Sequence, residues 1–343
     1  MLAMLCRLWH SSFDMAVPYQ IYRSADAFFA NADRFNAAVS KSPDVLDFCC
    51  SSYWTQAAHR SLHRDDRSGA PFLAAHDAGA ENWIVFAKGA SWFWEPLENA
   101  WAFSCPLIGA DSEAVVDLLE SVCVGELGGA SAFLIGGVAQ GGSLQRVLNE
   151  RQQSYRRLVE FEGMTSMSID LTDGVDGYLA RRSVKFRKSL RQSQRRVDDA
   201  GVVIEEAQGT WPEMFERILR IQQRTTKWLR GDDIFHHEGY LDFYGSLAES
   251  ALGDGLLRLL FARQGDEDVA FILGADFRGT YRGLQMSYAA GHADLGIGNV
   301  LQFENLKRCA QAGITGYDLG MFAPYKERWT DVQVQFRNLL LIL

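Results

Sequence analysis

A chain of 343 residues exceeds one comfortable hydrophobic core, and its length favours two domains of ordinary size. Its 48% hydrophobic and 22% charged residues leave ample apolar surface to bury, which excludes a disordered chain. A net charge of -9 argues against general nucleic-acid binding, because affinity for a polyanion comes from neutralising its phosphates with a basic surface.

The six cysteines, Cys6, Cys49, Cys50, Cys105, Cys123 and Cys309, form no CxxC pair and no ligand spacing with histidine; they read as reduced, buried thiols. The opening MLAMLCRLWHSSFD carries no secretory-type cleavage site, and no run approaches the roughly 18–20 apolar residues that span a bilayer. A cytoplasmic protein without a membrane span is expected, as a monomer or homodimer.

In chain order, 25–39 and 44–63 read as helices, with Phe28, Phe29 and Phe35 on one face of the first. His59 and His63 lie four apart, but no third ligand accompanies them, so no metal site is expected. Strands are predicted at 72–76 and 82–88, followed by an aromatic passage, 91–103, in which Trp94 and Trp101 are either core or a stacking surface for a planar ligand. A helix capped by Asp111 follows at 112–123, then a short strand at 133–136. The run GGVAQGG at 136–142 lacks the lysine of a phosphate loop and reads as a plain loop. A polar helix at 144–157 leads to a domain boundary within 160–175; the two domains are taken as 1–165 and 166–343.

The most charged stretch, 178–199, reads as one helix with Leu179, Phe186, Leu190 and Val197 on its buried face and a basic outer surface. Thr210 and Glu213 form a capping box that opens a helix to about Trp228. Another helix is predicted at 240–250. Short-loop strands at 256–263, 269–277 and 281–288 then make an antiparallel meander. A glycine-flanked turn at 295–299, a helix at 300–312, a strand at 316–320, the pair Tyr325-Lys326 and a terminal strand complete the chain. The element order is mixed α/β, neither doubly wound nor a barrel, and the first half repeats it faintly, as an internal duplication would.

The residues Ser183, Phe186, Arg187, Leu190, Lys227-Trp228, Tyr288, Gly298, Asp318-x-Gly320 and Tyr325-Lys326, spread over about 165–335, resemble the GNAT acyltransferase superfamily. Within it, they are most similar to the tandem-GNAT, CelD/BcsL-like branch of cellulose and exopolysaccharide loci, and more distantly to FemX-type enzymes. The first half matches in outline only, at PLIGAD (106–111). The resemblance implies two tandem GNAT-like domains, the second carrying the cofactor site, and acyl-CoA (acetyl-CoA or longer) as co-substrate with no metal. The DLGIGN turn departs from the superfamily's phosphate loop in lacking its Arg/Gln lead residue.

Elementary chemistry runs beside this resemblance. Gly296 and Gly298 let a phosphate approach the backbone, and the helix start after them is an anion site. Gln285, Met286, Ser287 and Tyr288 would offer strand backbone to the amides of a pantetheine arm, and Ile297, Asn299 and Val300 complete the cofactor stretch. For acyl transfer Tyr325 is a candidate acid, Lys326 a candidate oxyanion or phosphate ligand, and Asp318 a candidate base or orienting carboxylate. The resemblance adds Arg187 and Trp228 as acceptor-site residues. The expected activity is transfer from acyl-CoA to an amine or hydroxyl of a small molecule, sugar or peptide. FemX-like transfer from aminoacyl-tRNA and a non-catalytic role in polysaccharide assembly are the alternatives.

Overall fold

A computed structural model describes residues 17–62, 71–88, 93–128 and 131–343. The first half begins with β1 (Tyr19–Tyr22) and the short helices α1 (Ala25–Phe29), α2 (Ala32–Val39), α3 (Asp47–Cys50) and α4 (Ser52–Ser61). Strands β2 (Phe72–Asp77), β3 (Trp83–Lys88), β4 (Trp94–Glu95) and β5 (Leu107–Ile108) follow, then α5 (Ser112–Leu127), β6 (Ala132–Ala139) and α6 (Ser143–Glu150). The second half opens with β7 (Arg157–Asp170), α7 (Gly174–Ala180), α8 (Val184–Asp199), β8 (Val202–Glu206), α9 (Trp211–Gln222), α10 (Thr226–Arg230) and α11 (Tyr240–Gly253). It ends with β9 (Leu257–Gln264), β10 (Glu267–Phe277), β11 (Thr280–Tyr288), α12 (Ile297–Gln311), β12 (Gly316–Met321) and β13 (Val332–Ile342).

The strands form one mixed sheet, ordered β1-β2-β3-β4-β6-β13-β7-β12-β11-β10-β9-β8, with β5 beside β3. Two neighbour pairs are parallel, β4 with β6 and β11 with β12, and a parallel pair needs a crossover. The crossovers contain α5 and α12. Read from either edge inward, the sheet therefore runs as an antiparallel meander, one parallel step, then a strand beside the central pair β13 and β7. The mixed α/β class and the repeat of one half by the other are both as expected. β7 runs unbroken through 165 and 166, pairing with β13 along most of its length and with β12 at its end.

Several predicted elements divide where a side chain caps a new helix start. The predicted helix 178–199 is two helices, because the Ser183 hydroxyl accepts the Phe186 amide at 3.1 Å and begins α8 afresh. Its buried face is Phe186, Leu190 and Val197, as the spacing predicted. Thr225 likewise caps α10, so the helix opened by the Thr210–Glu213 box ends at Gln222. Asp44 has a positive φ of 61°, which keeps the segment before α3 out of a helix. The glycine run at 136–142 is only partly a loop: β6 continues to Ala139, and at Gly137 (φ 61°) a Cβ would stand 2.6 Å from the Phe103 carbonyl oxygen. α12 starts at Ile297, three residues earlier than predicted. The His59 ring packs edge-on against Phe72 at 5.6 Å, and His63 lies outside the described residues, as does Cys6.

The main hydrophobic core joins the two halves on one face of the sheet. Trp54 of α4 meets Phe243 of α11 edge-to-face at 5.0 Å, and Phe48 meets Phe277 at 6.3 Å. Such aromatic pairs add about 0.5–1.5 kcal/mol each beyond the area they bury. Two smaller cores lie under α8 and α12, built on Tyr178, Leu306 and Trp329 and on Val197, Ile272 and Val300. Among the described residues no helix is long and apolar enough to cross a membrane.

Candidate active site at a fork between two strands

β11 and β12 pair in parallel for three residues only, Thr280 with Gly316, Tyr281 with Tyr317, and Arg282 with Asp318. Beyond that rung they separate. At the same level β11 bulges against β10, since Gly283 faces Gly274 and Gln285 faces Leu273, leaving Leu284 as the extra residue. A bulge bends a strand away from its ladder. The edge of 283–288 that faces β12 is thus left without a strand partner.

A cleft of about 790 Å³ opens at the fork. Its walls come from both faces of the sheet: Gly296, Gly298 and Asn299 of the α12 turn on one, and Trp54, Trp101 and Phe103 of the first half on the other. The cleft therefore passes between the strands, and both halves of the chain build it.

The last rung before the fork is a buried ion pair. The Arg282 guanidinium donates to Asp318 Oδ2 at 2.5 Å, and the two side chains are 4% and 10% exposed. Asp318 Oδ1 accepts the Gly320 amide at 2.7 Å, a bond that the positive φ of Gly320 (80°) makes reachable, and the Ser166 hydroxyl at 3.4 Å. The Phe103 ring lies 4.4 Å from the guanidinium carbon, so the first half covers this pair as well. Asp318 is fully engaged behind the cleft wall and does not line it.

Tyr325 and Lys326 stand on the short turn Pro324–Lys326 and both face the cleft. The Lys326 ammonium donates to the Met321 carbonyl at 2.8 Å. Its proton affinity falls to about 8, chiefly because it is shielded from water, with Arg282 and Lys227 pushing in the same direction and Asp318 opposing. Tyr325 shifts the other way: loss of hydration and the neighbouring Tyr288 raise its phenol above the ordinary value.

The predicted cofactor stretch comes together as a strip. Gln285, Met286, Ser287 and Tyr288 line the cleft from β11, and Gly296, Gly298 and Asn299 line it from the helix start. Ile297 and Val300 point the other way, into the core beneath α12. The turn is held from outside by α8, where Arg196 Nε donates to the Leu295 carbonyl at 3.4 Å and a Cβ on Gly296 would meet Ser193 Oγ at 2.5 Å. The Asn299 and Val300 amides return to the Gly296 carbonyl, at 3.0 and 3.4 Å, which leaves Ile297 and Gly298 as the uncommitted donors of the first turn. Arg328 adds a cation there, donating to Asn299 Oδ1 at 2.5 Å.

The corresponding helix of the first half is closed to an anion. The Asp111 carboxylate accepts from Glu113 N at 3.0 Å and Ala114 N at 3.4 Å, so α5 carries its own negative charge where α12 begins with a bare glycine.

The two acceptor-site residues are not brought to the cleft. Arg187 folds back to cap α7, donating to the carbonyls of Leu179 and Arg182 at 3.0 and 3.1 Å. Trp228 packs on His236 with ring centres 4.2 Å apart, while its neighbours on α10, Lys227 and Arg230, line the cleft instead. Of the two tryptophans weighed as a stacking surface, Trp101 reaches the cleft, whereas Trp94 is buried beneath Lys88. Arg282, Lys227, Trp54 and Phe103 were not foreseen as site residues. The signal available for the pair was that Arg282 and Asp318 are the single charged residues of β11 and β12, and charged side chains are seldom buried unless paired.

Residues 184–327 match the family model described as an acetyltransferase (GNAT) domain. No curated protein matches the chain. Among solved structures it is similar to a conserved protein of unknown function from Bacteroides thetaiotaomicron (TM-score 0.63, 13% identity, 95% of this chain and 100% of that one). It is similar as well to FemX (TM-score 0.63, 11% identity, 94% and 97%). A third likeness is to the C-terminal domain of a putative lysylphosphatidylglycerol synthetase from Agrobacterium fabrum (TM-score 0.52, 15% identity, 84% and 91%). The domain match and these near full-length likenesses give the chain a GNAT-like acyltransferase fold.

Proposed function

We propose that the protein transfers an acyl group from acyl-CoA to an amine or hydroxyl of a small molecule, sugar or peptide, in keeping with the exopolysaccharide-associated branch it resembles. The observation that carries this is the fork: an unpaired strand edge at 283–288 leads from the open, glycine-started helix of α12 to Tyr325 and Lys326. The unpaired main chain would accept the amides of a pantetheine arm as an added strand, and the Ile297 and Gly298 amides with Arg328 would hold its phosphates. Acyl-CoA supplies the activated thioester.

Lys326, near-neutral in proton affinity, takes the proton from the attacking amine or hydroxyl as the new bond to the acyl carbon forms. Tyr325 gives a proton to the sulfur as the carbon–sulfur bond breaks, and recovers it from Lys326, so the products are the acylated acceptor and the free thiol. Asp318 and Arg282 orient the fork rather than exchange protons. The test is native mass spectrometry with acyl-CoAs of increasing chain length. Wild type is expected to retain at least one of them, and Gly298→Trp to retain none, because a side chain there meets the Tyr288 ring, 3.3 Å from the Cβ position. Failure of every acyl-CoA to bind wild type would remove the proposal.

FemX-like transfer from aminoacyl-tRNA is favoured by one observation: Lys185, Lys188, Arg191 and Arg195 form an exposed basic row on α8, the helix that supports the α12 turn. Tight tRNA binding that weakens steeply with salt, in place of acyl-CoA binding, would select it.

A further inference from the structure

The charge of the cleft opposes that of the chain. Lys227, Arg230, Arg282, Lys326 and Arg328 line it, and among the described residues no aspartate or glutamate does, in a protein of net charge -9. A cationic amine entering this cleft would find no carboxylate to replace its water and several like charges to repel it.

These cations divide between the two faces of the sheet. Arg328 stands at the start of α12, bonded to Asn299, where the donor's phosphates would lie. Arg282 is committed to Asp318. Lys227 and Arg230 belong to α10, whose Trp228 packs on the same core as Trp54, Trp101 and Phe103. They are three residues apart, hence on one side of that helix; both are exposed and line the cleft, as does the half-buried Trp101.

Resting on the acyltransferase function, we propose that the part of the cleft lined by Lys227, Arg230 and Trp101 is the acceptor site and that it selects an anionic acceptor: a ring-bearing amine or alcohol with a phosphate or carboxylate held by Lys227 and Arg230. The ring lies against the Trp101 wall, and the nucleophile points toward Lys326. Polyamines and other cationic acceptors are refused.

Calorimetry on the full chain, without donor, tests this with matched probes: glucosamine 6-phosphate against glucosamine, 4-(aminomethyl)benzoate against benzylamine, and spermidine as the cationic extreme. The anionic member of at least one pair is expected to bind roughly tenfold more tightly, the worth of two partly exposed charge pairs. The pair with the larger ratio tells phosphate from carboxylate. The preference should fall with added salt and vanish in the double variant Lys227→Glu/Arg230→Glu. Equal or absent binding of both members in each pair, tighter binding of spermidine, or a preference that survives both salt and the double variant overturns the proposal. Native mass spectrometry with the acyl-CoA series on the same preparation reads the donor separately: failure of every acyl-CoA to bind sinks the transferase function, whereas the probe ratios judge the anion site alone.

Discussion

Lys326→Ala is expected to lower kcat by about 10²- to 10⁴-fold, the range for removing a positioned general base, while acyl-CoA binding measured by native mass spectrometry stays near wild type. The pH dependence carries the sign. Folding lowers the Lys326 pKa from the free-lysine range to about 8, chiefly by burial and by the nearby Arg282. The neutral amine is the working form, so kcat/KM of wild type should rise with pH through an inflection near 8 and level off above it. The inflection should be missing from the residual activity of Lys326→Ala. A rate that instead declines above pH 8 would make the ammonium the working form, and Lys326 an oxyanion ligand rather than a base.

Asp318→Asn is expected to destabilise the fold by about 3–5 kcal/mol, because it leaves the Arg282 charge buried without a counterion. The double variant Arg282→Met/Asp318→Leu should regain most of that loss, since an apolar pair of similar volume needs no counterion. It should be inactive, because the fork has lost the rung that orients it and Lys326 has lost two of its three charged neighbours, Arg282 and Asp318, keeping only Lys227. Urea unfolding of the wild type, single and double variants checks the first part, and thiol release the second. Equal destabilisation by the single and the double variant would mean that the pair contributes packing alone.

Local features were legible wherever one stretch of chain decides them. The Thr210–Glu213 box, the Asp111 cap and the 9-to-11 strand meander depend on neighbours a few residues away, and they appear as predicted. The strip from Gln285 to Asn299 is contiguous, so its residues reach one cleft through one strand and one turn. What spacing could not reveal depends on register and on distant chain. Arg282 meets Asp318 only because β11 and β12 are parallel in one alignment. Trp54 and Phe103 arrive from another half of the molecule. Arg187, expected at the acceptor site, instead turns its guanidinium back onto α7, across a break at Ser183 that the basic run 181–196 hides.

The placement of β13 has a consequence for how the chain is made. Among the described strands β13 is the last to leave the ribosome, yet it sits between β6 and β7 at the centre of the sheet. Until it arrives, the nascent first half ends in a bare β6 edge and the second in a bare β7 edge, each an open template for pairing with another chain. Neither half can complete its place in the sheet before β13 has been made. The two halves must wait, exposed to self-association, for β13 to zip them together, a late long-range closure of the kind that makes folding slow and chaperone protection valuable.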